Sequence, residues 1–254
     1  IRSSISDLIC KGVKPEYYFI SGSGNKNHFT KKNLKMISKS LNEEQKKYNL
    51  KLSGGDTVTS KKVSFSITAI GFSSNIIERN KARLNDDIYV TGNIGDSFLG
   101  LQLIKKKIKI SSKLKNYFIN QFYCPNLPHK IYKEIYKFAN TSMDVSDGLI
   151  SDMFKLINKQ KLSFEIDINK IPISNNLKNY LIKHKKKRSN YLFNGDDYQI
   201  LFTASKKKRL LIKSIGKKMN QKITKIGSIN NGYKKNFVKL DNKPQNLTKF
   251  KGYS

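Results

Sequence analysis

The segment TSMDVSDGLISDMFKLIN at residues 141–158 constrains this 254-residue chain more than any other. A strand-like run over 141–145 passes through Ser146-Asp147-Gly148 into a helical pattern over 149–158, a strand-to-helix junction studded with acids. Asp144 and Asp147 lie three residues apart across it. If the helix begins near Asp147, both carboxylates sit at its N-terminus beside unpaired backbone N–H groups. That geometry receives a phosphate carried by a metal. An ordinary helix cap by Ser146 or Asp147 explains the same residues, and on this segment alone both readings stand.

The wider distribution of acids favours the chemical reading. The chain has twelve Asp against six Glu, and ten of the Asp fall in compact settings: Asp7, Asp56, Asp86-Asp87, Asp96, Asp144-Asp147-Asp152 and Asp196-Asp197. A solvated surface would scatter them among Glu, whereas short carboxylates beside glycines suit Mg²⁺ and phosphate. Gly54-Gly55-Asp56-Thr57 is read as a turn between two strands. Its glycines would let the backbone approach a ligand and its Asp would bind a metal, and a plain Gly-Gly hairpin turn is the competing reading. Gly195-Asp196-Asp197-Tyr198 precedes the apolar run 200–202, where paired acids are costly unless solvated or matched by cations; an exposed acidic turn accounts for it equally well. Asp7 alone reads as an N-terminal helix acid.

Around these motifs the pattern predicts a helix start, or the end of a strand entering one, at 3–12, with a break at Pro15. Strands are expected at 17–21, 49–52 and 63–71, and an amphipathic helix at 31–48 with Leu34, Ile37 and Leu41 at helical spacing. After a polar link at 78–87 come a strand at 88–91 and a helix at 97–106. Loop and short helix around Pro125 and Pro128 follow, then a helix at 130–139 and the junction described above. The remainder reads as a strand at 162–168, a Lys-rich linker to 190, a strand at 198–203, a helix at 206–215, a strand at 221–228 and a ragged end. Strands and helices alternate without a strict βαβ rhythm, which predicts an α+β or mixed α/β fold with a boundary near residue 80.

Charge excludes less than it suggests. Fifty Lys and Arg give a formal net charge of +32, the first mark of a nucleic-acid binder. Only five are Arg, the residue that reads base edges, and the lysines are scattered, so a solvated basic surface is expected, with steering of an anionic small substrate and specific nucleic-acid recognition as the lesser alternatives. Cys10 and Cys124 form no disulfide framework, no run approaches 18 apolar residues, and nothing after Ile1 resembles a secretion signal. His28, His129 and His184 lack metal-ligand spacing. Neither GxxxxGK[ST] nor GxGxxG is present, and the loop from Gly92 to Gly95 is only a weak phosphate-loop signal.

Taken in order, SDLICKGVKP (6–15), LSGGDT (52–57), NDDIYVTGNIGDS (85–97), MDVSDGLISD (143–152) and NGDDYQILF (194–202) resemble the thiamine-monophosphate kinase family. That family belongs to the superfamily of aminoimidazole-ribotide synthase, selenophosphate synthetase and a hydrogenase maturation protein. The resemblance covers essentially the whole chain. It implies an aminoimidazole-ribotide synthase-like two-domain fold, with an N-terminal ATP- and metal-binding, dimerising domain at 1–83 and a C-terminal α+β domain at 84–254. It further implies a cytoplasmic homodimer, with no specific nucleic acid or membrane partner. The implied reaction is ATP plus thiamine monophosphate giving ADP and thiamine diphosphate, the last step of that cofactor's synthesis.

Carried over residue by residue, Asp7, Asp56, Asp144 and Asp147 would be Mg²⁺ ligands gathered around the ATP phosphates, with Asp56 and Asp147 catalytic. Gly54, Gly55, Thr57, Ser146, Gly148 and Arg79 would bind ATP, and Asp196, Asp197 and Tyr253 the thiamine side. The resemblance also implies an upstream GDDAA-type segment that this sequence does not carry. A chain shortened at its start and clipped at its end is therefore expected, with an incomplete metal set and a weakened dimer. Lys11 stands where a small residue is usual, and His129 where an Arg is common. Two alternatives are another ATP-using relative such as aminoimidazole-ribotide synthase, and a catalytically dead nucleotide binder. The acceptor is already an anionic phosphate, so no strong general base is needed; direct in-line transfer assisted by Mg²⁺ is expected.

Overall fold

The structure, a computed structural model, describes residues 1–232, 236–240 and 243–245. The chain opens with helix α1 (Arg2–Cys10), whose Ile5, Ser6, Ile9 and Cys10 are buried. Strand β1 (Lys14–Gly24), helix α2 (Lys31–Tyr48), strand β2 (Lys51–Thr59) and strand β3 (Ser64–Phe72) follow. They form a three-stranded sheet of order β2-β1-β3, with β1 and β2 parallel and β3 antiparallel. A parallel pair needs a crossover, and α2 supplies it. Its ends match the helical reading of 31–48: the Thr30 side chain accepts the Asn33 N–H at 3.2 Å, and Asn49 turns into the left-handed region at φ 54°.

A second sheet begins with strand β4 (Asp87–Thr91), and helices α3 (Asp96–Ile104) and α4 (Ser112–Tyr123) come after it. Next are strand β5 (Thr141–Asp144), helix α5 (Leu149–Leu156), strand β6 (Leu162–Asp167) and helices α6 (Asn175–Lys183) and α7 (Ser189–Leu192). Strand β7 (Ile200–Ala204), helix α8 (Arg209–Lys218) and strands β8 (Ile223–Asn231), β9 (Phe237–Leu240) and β10 (Lys243–Gln245) complete the described residues. The order is β10-β9-β6-β8-β4-β7-β5, antiparallel throughout except β6 with β9. One apolar cluster joins this sheet to α5 through Leu149, Ile150, Met153 and Leu156. A second joins Ile5, Ile9 and Cys10 of α1 to Ile200, Phe202 and Ala204 of β7. Burial of α1 against the second sheet thus brings the N-terminal residues to the tips of β5 and β7.

Several expectations are corrected. Gly54 and Gly55 make no turn: GGDT lies within β2, paired with residues 19–22 of β1. A Cβ on Gly55 would stand 1.9 Å from the Ile20 carbonyl oxygen, so the glycine permits close strand approach. Pro15 does not break the chain; it is the second residue of β1, where a missing N–H costs little. The helix expected at 130–139 is two short 3₁₀ turns, His129–Lys133 and Ile135–Lys137. The supposed Lys-rich linker holds α6, whose Leu177, Tyr180 and Leu181 are buried at helical spacing and whose start is capped by Ser174. Part of the ragged end forms β9 and β10.

Candidate active site

Two acidic loops lie edge to edge. The first, residues 145–148, joins β5 to α5; the second, residues 194–198, leads into β7. The Val145 N–H donates to the Gln199 carbonyl at 2.7 Å, Asp196 N–H to Ser146 at 2.9 Å, and Tyr198 N–H to Val145 at 2.9 Å. Gly195 makes this pairing possible, since a Cβ there would fall 1.8 Å from the Ser146 carbonyl oxygen. Two non-glycine residues of the second loop are left-handed, Asp196 at φ 65° and Tyr198 at φ 49°. Such a conformation in a bulky aromatic persists only where its surroundings impose it.

The helix after the first loop starts at Leu149, where the pattern over 149–158 places it, and the loop N–H groups are engaged within the chain. Those of Ser146, Asp147 and Gly148 all donate to Asp152 Oδ2, at 3.0, 3.0 and 3.1 Å. Lys155 pairs with Asp147 and reaches Asp152 Oδ1 at 3.3 Å. The N–H groups of Ser146 and Gly148, expected to face ATP, are here directed to Asp152 and shape the loop.

From α1, the Ser6 hydroxyl donates to Asp144 Oδ2 at 2.5 Å, which brings Asp7 close enough for its charge to be felt by Asp144. Burial above all, then the charges of Asp7 and Asp152, push the Asp144 carboxyl up to about 6, while the Ser6 hydrogen bond pulls the other way. Partial desolvation raises Asp7 too, opposed by Lys11 and Arg79. Lys11 donates to the Ser142 carbonyl, and its own pKa is lowered, chiefly by burial. Asp7, Asp144, Lys11 and Arg79 thus form one electrostatic group. Ser6, Lys11 and Asp152 went unassigned in the sequence reading, although all three stand inside its motifs.

The four aspartates expected as one metal set are not gathered. Among the described residues no three His, Cys, Asp or Glu side chains come close enough to hold a metal ion. Asp56 sits on exposed β2 and accepts its neighbour Thr57 N–H at 2.7 Å. With Gly54, Gly55 and Thr57 it borders a groove of about 550 Å³ beneath α2. Asp147 is engaged by Lys155.

The acid pair of the second loop divides. Asp197 is 4% exposed and accepts N–H groups at the start of α3, from Gly95 at 2.8 Å and Ser97 at 3.5 Å. Burial pushes its carboxyl well up. In this structure it serves as a helix cap, at a position expected to face the thiamine side. Asp196 borders a groove of about 760 Å³ with Tyr198, Met36, Phe65, Phe122 and Tyr123. Tyr253 lies outside the described residues. No helix among the described residues is long and apolar enough to cross a membrane.

Residues 1–73 match the family described as AIR synthase related protein, N-terminal domain, and with the two-sheet fold this defines the class. A thiamine-monophosphate kinase of Buchnera aphidicola is 34% identical over 266 aligned residues, covering 100% of this chain and 78% of its own length. The chain belongs to the thiamine-monophosphate kinase family. The kinase of Aquifex aeolicus is 36% identical over 162 residues, 63% of this chain, and the chain spans only 53% of that relative's length. The crystal structure of the Aquifex aeolicus enzyme matches with TM-score 0.83 at 28% identity, over 96% of this chain and 79% of that one. A structure of such a kinase complexed with AMPPCP and TMP matches with TM-score 0.82 at 29% identity, over 94% of this chain and 74% of that one.

Proposed function

We propose that this chain transfers the γ-phosphoryl group of ATP to thiamine monophosphate, giving ADP and thiamine diphosphate. The observation that carries this is the 34% identity along the whole chain to a kinase of that name. The fold shared with the complex of AMPPCP, an ATP analogue, and TMP supports it.

Mg²⁺ suits these acids by donor chemistry, although among the described residues no three of them stand close enough together to enclose it. Asp7, Asp144 and Asp147 offer oxygen ligands only, and the charge of Asp7 bearing on buried Asp144 is a repulsion that a hard cation relieves. When bound, Mg²⁺ neutralises phosphate oxygens as charge develops during transfer. Asp144, fixed by Ser6, and Asp7 would be the residues that hold it. Asp147, paired with Lys155, would be a further oxygen ligand. Arg79 and Lys11 stand beside these acids and draw phosphate oxygens toward them. On β2, Gly54, Gly55, Asp56 and Thr57 line the approach for ATP. The acceptor needs no strong base, because its phosphate is already anionic; what the chain supplies is alignment and charge balance. Asp196, Tyr198 and the aromatic residues of the 760 Å³ groove suit a cationic heteroaromatic substrate.

The division into units at 1–83 and 84–254 is part of this proposal, supported by the change of sheet between β3, ending at Phe72, and β4, starting at Asp87. So are a cytoplasmic location and homodimerisation. The latter is supported by the exposure of Phe19, Leu52, Val58 and Phe65 on the three-stranded sheet. The test is product analysis: incubation with ATP, Mg²⁺ and thiamine monophosphate is expected to yield thiamine diphosphate. ATP binding without product would favour a dead homologue, and ADP release with a ribotide acceptor would favour the synthase relatives.

A further inference from the structure

We propose that Asp152 is a positioning residue of the acidic site, its buried carboxylate gathering the three N–H groups of residues 146–148 so that Asp144 and Asp147 are held ready for the metal-bound phosphate. This rests on the kinase reading above and assigns a role to an acid that reading leaves unused.

The geometry is unlike an ordinary cap. A capping side chain normally precedes its helix and accepts the N–H of the second or third residue inside. Asp152 is the fourth residue of α5 and reaches backward, to N–H groups that precede the helix. Its side chain is 0% exposed, where an unpaired charge would be strongly unfavourable; three backbone donors and Lys155 satisfy it. The other edge of the loop is tied to residues 196–199 by three backbone hydrogen bonds. With both edges fixed, the backbone between Asp144 and Asp147 has no N–H left to rearrange. Lys155 bridges Asp152 and Asp147, so the same carboxylate also anchors the cation that holds Asp147 in place. A small misplacement of reacting groups costs orders of magnitude in rate, which is why a buried anchor behind the site matters to chemistry.

The experiment compares wild type with Asp152→Ala, Asp152→Asn and Asp86→Ala. Asp86→Ala removes another buried carboxylate, one bonded to Arg83 N–H, Asn140 and Thr203 on the second sheet. Three readouts are taken: thermal unfolding and, below the unfolding temperature, the Mg²⁺ midpoint for AMPPCP binding and amide hydrogen exchange at residues 146–148. Asp152→Ala is expected to raise the Mg²⁺ midpoint at least about tenfold and exchange at 146–148 by about a hundredfold. Asp152→Asn keeps an acceptor oxygen and is expected to recover most of both, and it serves if the Ala variant fails to fold. Asp86→Ala should lower thermal stability while leaving the Mg²⁺ midpoint within about twofold. A midpoint in Asp152→Ala no different from that of Asp86→Ala would overturn the proposal, as would unchanged exchange at 146–148. If wild type shows no Mg²⁺-dependent AMPPCP binding, the kinase reading fails, and the exchange rates still decide whether Asp152 holds the loop.

Discussion

Folding and chemistry place opposite demands on Asp144. Burial and the charges of Asp7 and Asp152 hold its carboxyl up at about 6, above the ordinary value near ~4 of an unfolded chain. Between those values the folded, metal-free protein binds more protons than the unfolded one, so this group's contribution to stability is present at low pH and lost as pH rises through about 6. The full effect is on the order of 2–3 kcal/mol. Asp144→Asn removes it. In urea unfolding without metal, the Asn variant should match wild type near about pH 4 and exceed it by about 1–3 kcal/mol near about pH 7. A variant weaker than wild type at the higher pH would contradict this. Asp197 makes a contrasting case: because it caps α3, Asp197→Ala should cost about 1–3 kcal/mol of stability while the KM for thiamine monophosphate stays within about twofold. A large rise in KM with little loss of stability would restore Asp197 to the substrate side.

Among the elements, helix α2 was legible from the spacing of Leu34, Ile37 and Leu41 alone, and its range Lys31–Tyr48 matches the helix expected at 31–48. Strand β2 was not, because Gly-Gly is a turn signal in sequence and a packing device here, with the Gly55 position pressed against Ile20 of β1. Gly55→Ala should therefore separate β2 from β1 at a cost of about 3 kcal/mol, seen as faster hydrogen exchange in β1 and β2; unchanged exchange would mean the strands have room. The linker that proved to be α6 hid behind its lysines: Leu177, Tyr180 and Leu181 give the helical period, but the following run of basic residues dominated the composition. The DVSDG and GDDY motifs both pointed to a site, yet their edge-to-edge pairing is a long-range backbone contact that no local pattern encodes. For the same reason the bond from Ser6 of α1 to Asp144 of β5 had no signal in either motif alone.

Across the whole molecule, a formal charge of +32 surrounds a site built from carboxylates. Scattered lysines give no recognition stripe, but they do give a long-range field that attracts two anionic substrates. With ATP and thiamine monophosphate, kcat/KM should fall by about tenfold between low and physiological salt while kcat changes little; equal loss in kcat would place the salt effect inside the site. The two sheets meet at the groove of about 760 Å³, lined by Ile20 and Phe65 of the N-terminal sheet and by Asp196 and Tyr198 beside the second. On the proposed function, Asp144 and the acids around it carry Mg²⁺-dependent phosphoryl transfer. Its most direct test is formation of thiamine diphosphate by wild type and Asp144→Asn across a Mg²⁺ titration, with folding of both verified beforehand. The expected result is Mg²⁺-dependent product from wild type and a loss of at least about a thousandfold in the variant. Equal product formation by the two folded proteins would contradict it.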